Sequence, residues 1–507
     1  MKSILLGDLF ARAGLAPPSQ GADLAITGIT DNSRKTEPGN IFVAVQGTVA
    51  DGHAFISDAV ERGASVVVVE KDIPDYRNAV VVHVSRSADA LGRLAHAFHG
   101  NPSAGMKVFG VTGTNGKTTT AYLLESILRE AGYNPGVIGT IEYRYAGRKL
   151  KAGNTTPSAM QLAQLFAEMR DAGVNAVAME ASSHAIDQAR ISGIEFDVCV
   201  FTNLTQDHLD YHKTMEDYAA AKRNLFTDYL LRPHTPGKSA VPGASFNNDD
   251  PWGREFAAAF SANKLAWGME PGADLLAQDI QFDARGTRFH IAHAGQQHTI
   301  QTNLLCLFNV QNILGACGAA LLAGMDWPTI RRGIDKLPIV PGRFEPVHAG
   351  QDFLVVVDYA HTPDALERVL LNARTMTSSR IITVFGCGGD RDNTKRPKMG
   401  AIAGNLSNHV ILTNDNPRTE DPASIAAMAL DGIKASSIAP EQVEVVLDRR
   451  DAIGRAIALA STGDCVVIAG KGHEDYQEIG KERFHFDDRE VAAEMIRDTL
   501  AGKAGKQ

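Results

Sequence analysis

KVFGVTGTNGKTTTAYLLESILREAG, residues 107–132, reads as three pieces in a row: an apolar run, a polar loop bounded by glycines, and a segment with helical period. Val108, Phe109 and Val111 suit a strand. Ala121, Leu124, Ile127 and Leu128 share one helical face, and Gly132 supplies a C-terminal stop. A glycine-rich turn between strand and helix lets backbone N–H groups approach phosphate oxygens, and the helix N-terminus favours the anion. Lys117 is placed to reach the β- and γ-phosphates, and the Thr118 hydroxyl to meet Mg2+. Gly113, Thr114, Asn115, Gly116, Lys117 and Thr118, with Thr119 behind them, are therefore read as the site of a nucleoside triphosphate such as ATP. The general phosphate-loop pattern wants glycine at position 111, where this chain has Val111. By itself the loop points to a nucleoside triphosphate and names no reaction.

The same alternation recurs outward from this stretch. Short apolar, β-branched runs at 65–70, 174–180, 196–201, 353–360, 381–386, 409–415 and 465–472 are separated by stretches of helical period. Continuous apolar runs belong to strands buried on both faces, and interleaved helices imply parallel α/β sheets. Two Pro/Gly-containing linkers, HGNPSAGMK at 99–107 and KLPIVPGRFE at 336–345, divide the chain. The expected architecture is α/β in three domains. A smaller α/β domain spans 1–103, a central phosphate-loop domain with a parallel sheet 104–337, and a Rossmann-like domain 338–507.

In such sheets ligands bind outside the carboxyl ends of the strands. Besides the loop itself, EASSH, NLTQDHLD, DYAHTPD, CGGDRD, NDNPR and GKGHED follow the apolar runs in that position. Glu180 ends one such run, where a carboxylate is costly unless paired or metal-bound, and a hard oxygen ligand suits Mg2+. His208 is a second candidate ligand, although a lone histidine is more commonly a hydrogen-bonded core residue.

The 507 residues exceed one core and have an ordinary globular composition, 44% hydrophobic and 21% charged. A net charge of -9 without a basic stripe argues against nucleic-acid binding. Five scattered cysteines, with no CxxC pair, read as reduced thiols of a cytosolic protein. MKSILLGDLFARAGLA opens like a signal peptide, but Asp8 and Arg12 interrupt it, and no run approaches the roughly 20 apolar residues of a membrane span. A cytoplasmic protein without a membrane span, read as a monomer, is expected.

Taken together, GTNGKTT, MEASSH, NLTQDHLDYH, AAAK, LFNVQN, PGRFE, DYAHTPDAL, GGDRD, DNPR and GKGHE resemble the Mur ligase family of peptidoglycan synthesis, in order along essentially the whole chain. That family's own loop is GTNGKT or GTNGKS, so Val111 becomes a family mark. The resemblance implies amide formation driven by ATP: a carboxylate attacks the γ-phosphate, ADP leaves, and an amine then displaces phosphate from the acyl phosphate. Phosphoryl transfer needs mainly positioning and charge neutralisation, which Lys117 and Mg2+ can supply.

The family's residues carry over onto matching positions. Lys222, in AAAK, matches a lysine carbamylated by CO2 to N6-carboxylysine, an anionic oxygen ligand for Mg2+ beside Thr118, Glu180 and His208. A carbamate forms on a neutral amine, which a lysine with a pKa near ~10.4 disfavours; from the residues alone, Lys222 reads as a helix-face lysine. Arg343, Asn312 and Asp358 match positions that line the nucleotide, and Arg343 joins Lys117, Glu180, His208 and Lys222 as the catalytic set. The first substrate implied is UDP-N-acetylmuramoyl-L-alanyl-D-glutamate. Its matching positions are Ser33, Thr48, Val49, Ala50, Asn154, Thr155, Thr156, Ser182, Gln188 and Arg190. Residues 48–50 depart from the family's commoner histidine-containing version, so backbone contacts are expected there.

Asp415-Asn416-Pro417-Arg418 matches the string of members that add meso-2,6-diaminopimelate, with Arg391, Gly470 and Glu474 completing that pocket. Diaminopimelate carries an amino-carboxylate at each end, whereas lysine has only an amine at its far end. An arginine fork pairs with the far carboxylate and faces an ammonium in lysine, while Glu474 takes the far ammonium. The alternatives are a ligase adding lysine or D-Ala-D-Ala, a folylpolyglutamate synthase, and a phosphate-loop ATPase without ligase chemistry.

Overall fold

The computed structural model describes residues 3–48, 50–73, 76, 78–236, 238, 241–283 and 286–504. The chain packs as two compact units. One comprises Met1–Gln278, Ile291–His298 and Gln311–Lys336, and the other Asp279–His290, Thr299–Val310 and Leu337–Gln507.

The first unit begins with a four-stranded parallel sheet in the order Gly28–Thr30, Asn40–Val43, Val66–Val69, Val80–His83. Ile41, Val43, Val66 and Val68 pack on one face with Leu91 and Leu94 of the helix Ser87–Phe98; Phe42, Val67 and Val69 pack on the other with Ile56 and Ala59. Burial on both faces is why the run at 65–70 shows no polar alternation. The helix Leu6–Arg12 adds Leu6, Leu9 and Phe10 to the first of these cores.

The core of the larger sheet orders Pro135–Ile138, Ala176–Glu180, Lys107–Thr112, Val198–Phe201, Gly243–Asn247 and Asn263–Gly268, all parallel, and the antiparallel strands Glu142–Tyr145 and Arg148–Lys151 extend it beyond Pro135–Ile138. Within this parallel core the strand before the phosphate loop has the next two strands on one side and the following three on the other. A crevice opens where strand order reverses in this way, and the loop sits at that point. Glu180 is level with Val111 and Phe201 with Thr112, so the loops after both neighbouring strands emerge beside the phosphate loop. The helix after the loop spans Lys117–Glu130; it buries Ala121, Leu124, Ile127 and Leu128, and Gly132 follows at φ 84°.

In the second unit the sheet orders Glu345–Pro346, Leu354–Asp358, Cys465–Ala469, Ile381–Phe385, His409–Leu412 and Val443–Val445. All pairs are parallel except the first. Val356, Ile381, Val410 and Val467 point to one core with the helices Pro363–Met376, Lys395–Leu406 and Pro422–Lys434. Val355, Ile382, Ile411 and Val466 point to the other with Arg449–Leu459 and Asp488–Ala504. This is a sheet wound on both faces, as the continuous apolar runs require. Cys465–Ala469 returns between Leu354–Asp358 and Ile381–Phe385, which places Asp358, Gly470 and the loops after 385 and 412 around one crevice.

All five cysteines are buried and free. No helix among the described residues is long and apolar enough to cross a membrane.

Candidate active site

Gly113 and Gly116 adopt φ of 149° and 86°, conformations that side chains rarely take. Space is the second constraint: a Cβ on Gly113 would strike Thr202 Oγ1, and one on Gly116 would strike Asn312 Oδ1. Asn312 is thereby placed against the loop. The loop is held from the NLTQDHLD side. Thr202 Oγ1 donates to the Asn115 carbonyl at 2.5 Å, Asn115 N–H donates to Asn203 Oδ1 at 3.0 Å, and Thr114 Oγ1 donates to the Thr205 carbonyl at 3.2 Å. Lys117 Nζ folds back over the loop, donating to the carbonyls of Gly113 and Thr114, each at 2.9 Å. Thr118 and Thr119 are buried in the first helical turn.

Lys222 is where the residue-level reading fails. Helix Met215–Asn224 turns Tyr218, Ala221 and Lys222 inward, leaving Lys222 1% exposed. Its Nζ donates to the Gly113 carbonyl at 2.8 Å and lies 4.5 Å from the Tyr218 ring centre. Burial pushes its pKa well below the lysine range, the Lys117 charge adds to the fall, and Asp207 opposes it.

Glu180, also 1% exposed, accepts from Thr140 N–H at 2.9 Å and from Thr140 Oγ1 at 3.0 Å. These two donors leave acceptor capacity on the carboxylate, so the donor set fits a hard cation. No described group of three or more His, Cys, Asp or Glu side chains forms a metal cage. His208 opens the short helix Leu209–His212 with φ 54°, its ring 4.8 Å from that of His184. Burial pulls its pKa down to about 4; Asp207 opposes, while His184, Lys117 and Lys222 reinforce. The neutral ring that results is the form a metal ligand needs.

Thr48, Gln188 and Arg190 line a cleft of about 500 Å³, together with Gln46, Arg86 and Ser158. Ser33 is buried at the start of Ser33–Lys35, and the Ala50 carbonyl accepts from Gly47 N–H at 3.0 Å. Val49 lies outside the described residues. NTTP is tied to the Glu180 strand end: Thr156 Oγ1 donates to the Glu180 carbonyl at 2.7 Å and accepts from Ser182 N–H at 3.1 Å. Thr155 and Thr140 hydroxyls are 3.0 Å apart, and the Asn154 carbonyl accepts from the Tyr143 hydroxyl at 2.5 Å. Arg190 donates to Gln188 Oε1 at 3.0 and 2.6 Å and to the Thr156 carbonyl at 3.2 Å. No described carboxylate pairs with it, and burial lowers its pKa. A half-buried cation without a counter-ion is suited to an anionic ligand.

In the second unit Asp358 is buried and accepts from Phe344 N–H at 2.7 Å. Burial raises its pKa to about 6, against the opposing charge of Arg343, whose guanidinium lies 5.2 Å from the Tyr359 ring centre. Gly470 N–H donates to the Asp358 carbonyl at 3.0 Å, and a Cβ there would sit 3.1 Å from Asp415 Oδ2. Asn416 links its neighbours: Oδ1 accepts from Lys471 Nζ at 3.0 Å and Glu478 N–H at 2.9 Å, and Nδ2 donates to Glu474 Oε2 at 2.9 Å. The Pro417 carbonyl accepts from Glu420 N–H at 3.1 Å. Arg418 donates through Nη1 to the Gly389 carbonyl at 2.7 Å and through Nε to Glu478 Oε2 at 2.9 Å. Arg391 is exposed, with Nη1 on the Asp390 carbonyl at 3.1 Å.

Several residues with no signal of their own organise these sites. Thr140 holds Glu180. Buried Lys471 stands 3.6 Å from Asp415 Oδ1 and 3.4 Å from Glu474 Oε2. Lys471 thus stands between the Asp415 and Glu474 carboxylates, two acids against one base. Burial raises the Glu474 pKa, with Lys471 opposing. Arg396 forms a two-point bridge to Glu420 at 2.8 and 2.8 Å and donates to the Gly388 carbonyl, tying the GGDRD and DNPR loops together. Arg449, fully buried with Asp488, donates to the carbonyls of Asn414 and Ala469 and so joins two strand ends. Only Lys471 lies inside a quoted string, where GKGHE could have pointed to it.

Three family descriptions match this chain: "Mur ligase family, catalytic domain" at residues 25–99, "Mur ligase middle domain" at 111–320 and "Mur ligase, glutamate ligase domain" at 342–472. A UDP-N-acetylmuramoyl-L-alanyl-D-glutamate–2,6-diaminopimelate ligase from Solibacter usitatus is 44% identical over 494 residues, 97% of this chain and 98% of the relative. A solved structure of a ligase with that same name aligns with a TM-score of 0.72 and 32% identity, over 98% of this chain and all of the other. The MurF ligase from Thermotoga maritima in complex with ADP shares the fold, at a TM-score of 0.58 and 20% identity over 94% of this chain and 98% of its own. With a relative of such identity along nearly its full length and matched regions in both units, the chain belongs to the Mur ligase family.

Proposed function

We propose that this chain is an ATP-dependent ligase that joins meso-2,6-diaminopimelate to the D-glutamate γ-carboxylate of UDP-N-acetylmuramoyl-L-alanyl-D-glutamate, in the cytoplasmic synthesis of peptidoglycan precursors. The observation that carries this reading is Arg418, an arginine fork held at a strand end beside the anionic Asp415–Glu474–Lys471 group. The fork matches the far carboxylate of diaminopimelate, and the residual negative charge matches its ammonium. Arg391, Asn416, Pro417 and Gly470 complete this pocket.

The nucleotide occupies Gly113 to Thr119, with Asn312, Arg343 and Asp358 as further contacts. A substrate carboxylate oxygen attacks the γ-phosphorus, the bond to the bridging oxygen breaks, and ADP leaves. The amine nitrogen of diaminopimelate then attacks the acyl carbon, phosphate leaves with its electron pair, and the nitrogen gives up a proton. Lys117 exchanges its two loop carbonyls for phosphate oxygens, so that its charge follows the triphosphate. Thr118, Glu180, His208 and a carbamylated Lys222 would hold Mg2+, which when bound would supply charge neutralisation. The carbamate reading is supported by the depressed pKa of Lys222, because the neutral amine is the form that reacts with CO2. Arg190, with Ser33, Thr48, Val49, Ala50, Asn154, Thr155, Thr156, Ser182 and Gln188, receives the UDP-sugar dipeptide. Residues 1–103, 104–337 and 338–507 are proposed as the domains for nucleotide-sugar, ATP and amino acid in a monomeric enzyme.

Phosphate release tests the assignment. It is expected only when ATP, UDP-N-acetylmuramoyl-L-alanyl-D-glutamate and meso-diaminopimelate are all present. Equal release with lysine would overturn the specificity, and release without any amino acid would return the chain to a plain ATPase.

A further inference from the structure

The hairpin Tyr476–Ile479/Glu482–His485 lies beyond residue 472, where the match to the family descriptions ends. Its first strand runs against the DNPR loop. Arg418 N–H donates to the Glu478 carbonyl at 3.1 Å, Gly480 N–H donates to the Arg418 carbonyl at 2.8 Å, and Arg418 pairs with Ile479 as an isolated parallel bridge. Glu478 N–H in turn donates to Asn416 Oδ1 at 2.9 Å. The hairpin therefore grips both Asn416 and Arg418. Arg418 needs the grip, since its φ of 52° is one that a residue with a Cβ adopts only when its surroundings over-determine it.

The side chains continue the arrangement. Glu478 Oε2 accepts from Arg418 Nε at 2.9 Å, and the Gly389 carbonyl accepts from Nη1 at 2.7 Å. Two edges of the planar guanidinium are thus fixed by different loops, and Nη2, between them, has no partner among the described residues. The other Glu478 oxygen is 3.5 Å from Arg483 Nε, and Arg483 lies 4.4 Å from the Tyr476 ring centre. That second contact orients the carboxylate so that Oε2 faces Arg418. An unheld arginine has several rotamers of similar energy and loses that freedom when it takes a ligand.

We infer that Glu478 is the positioning residue of the amino-acid pocket, aiming the Arg418 guanidinium so that its free edge meets the far carboxylate of the incoming amino acid. This rests on the diaminopimelate reading of the pocket. The role is one of reach rather than charge: Glu478 does not touch the substrate, and its work is done by an acceptor oxygen at the right distance from Nε.

Reach and charge can be separated by three variants. Glu478→Ala removes the acceptor, Glu478→Asp keeps the charge but withdraws it by one methylene, and Glu478→Gln keeps an acceptor at full length without the charge. The expected result is a KM for meso-diaminopimelate raised about tenfold in Glu478→Ala, about fivefold in Glu478→Asp and less than about twofold in Glu478→Gln, with the KM for ATP and the maximal rate little changed. Thermal midpoints within a few degrees of the parent show that the hairpin persists. If Glu478→Ala does not fold, the order of the other two variants decides. A worse effect in Glu478→Gln than in Glu478→Asp, no change in any variant, or equal increases for ATP and amino acid overturns the inference. Discrimination between diaminopimelate and lysine by the unaltered protein is measured alongside. Its absence would remove the functional reading itself, whereas its presence with unaffected Glu478 variants removes only the positioning role.

Discussion

Lys222 shows how far one residue's chemistry depends on what surrounds it. In the sequence it is a lysine on a helical segment; in the fold it is buried, bonded to the Gly113 carbonyl and close enough to Lys117 for the two charges to oppose each other. Burial and the Lys117 charge favour the neutral amine, the reactive partner of CO2, against the opposing charge of Asp207. Lys222→Ala should lower kcat/KM on the order of a hundredfold, since one oxygen ligand and its charge are lost from the phosphoryl-transfer site. Added formate or acetate should restore part of the rate. The measurement is turnover with and without the small carboxylate, and full activity in its absence removes the carbamate from the mechanism.

At the scale of elements, the strand–loop–helix unit at 107–130 was legible because each part carries its own signal. The apolar run, the two glycines and the helical face of Ala121, Leu124, Ile127 and Leu128 agree with one another, and agreement across levels is what specifies a structure. What the string did not contain is the reason both glycines are required. Gly113 yields space to Thr202 and Gly116 to Asn312, from segments roughly 90 and 200 residues away. Gly116→Ala is accordingly expected to raise the KM for ATP about tenfold and to cost about 1–2 kcal/mol of stability, from the left-handed φ and the displaced Asn312. Titration with a fluorescent ATP analogue and a denaturation curve check the two halves. An unchanged ATP affinity would mean that this loop does not hold the triphosphate. The bridges Arg396–Glu420 and Arg449–Asp488 belong to the same scale. They fasten loops and strand ends that only the parallel sheet brings together.

At the scale of the whole molecule, pH acts through groups remote from the reaction. His96 is fully buried in the helix Ser87–Phe98, its ring 5.7 Å from that of Phe166, and neither ring nitrogen has a hydrogen-bond partner among the described residues. Burial lowers its pKa to about 3, with a small contribution from the His99 charge. Below the unfolded value of 6.5 the unfolded chain takes a proton that the folded chain refuses, so stability falls as pH falls from about 6.5 towards 3. The loss reaches about 2 kcal/mol at pH 5 from the one site. His96→Leu should flatten that part of the profile while leaving stability near pH 7 roughly unchanged or improved. Urea denaturation at pH 7 and pH 5 makes the comparison, and identical pH dependence in the two proteins refutes the assignment.

The sequence by itself determined the class of fold and the places where chemistry collects. Continuous apolar runs can only be strands covered on both faces, and the ligand end of a parallel sheet can be located from whatever follows each run. It also determined the phosphate loop and the DNPR string, whose functional atoms lie within a few residues of one another. Only the tertiary structure decided which of these residues are buried, paired or charged. The depressed pKa of Lys222, the counter-charge that Lys471 places beside Asp415 and the grip of Glu478 on Arg418 all depend on partners distant in the chain or on the turning of a helix face. Desolvation and Coulomb interactions act through space, so they become definite only when the sheets have fixed the distances.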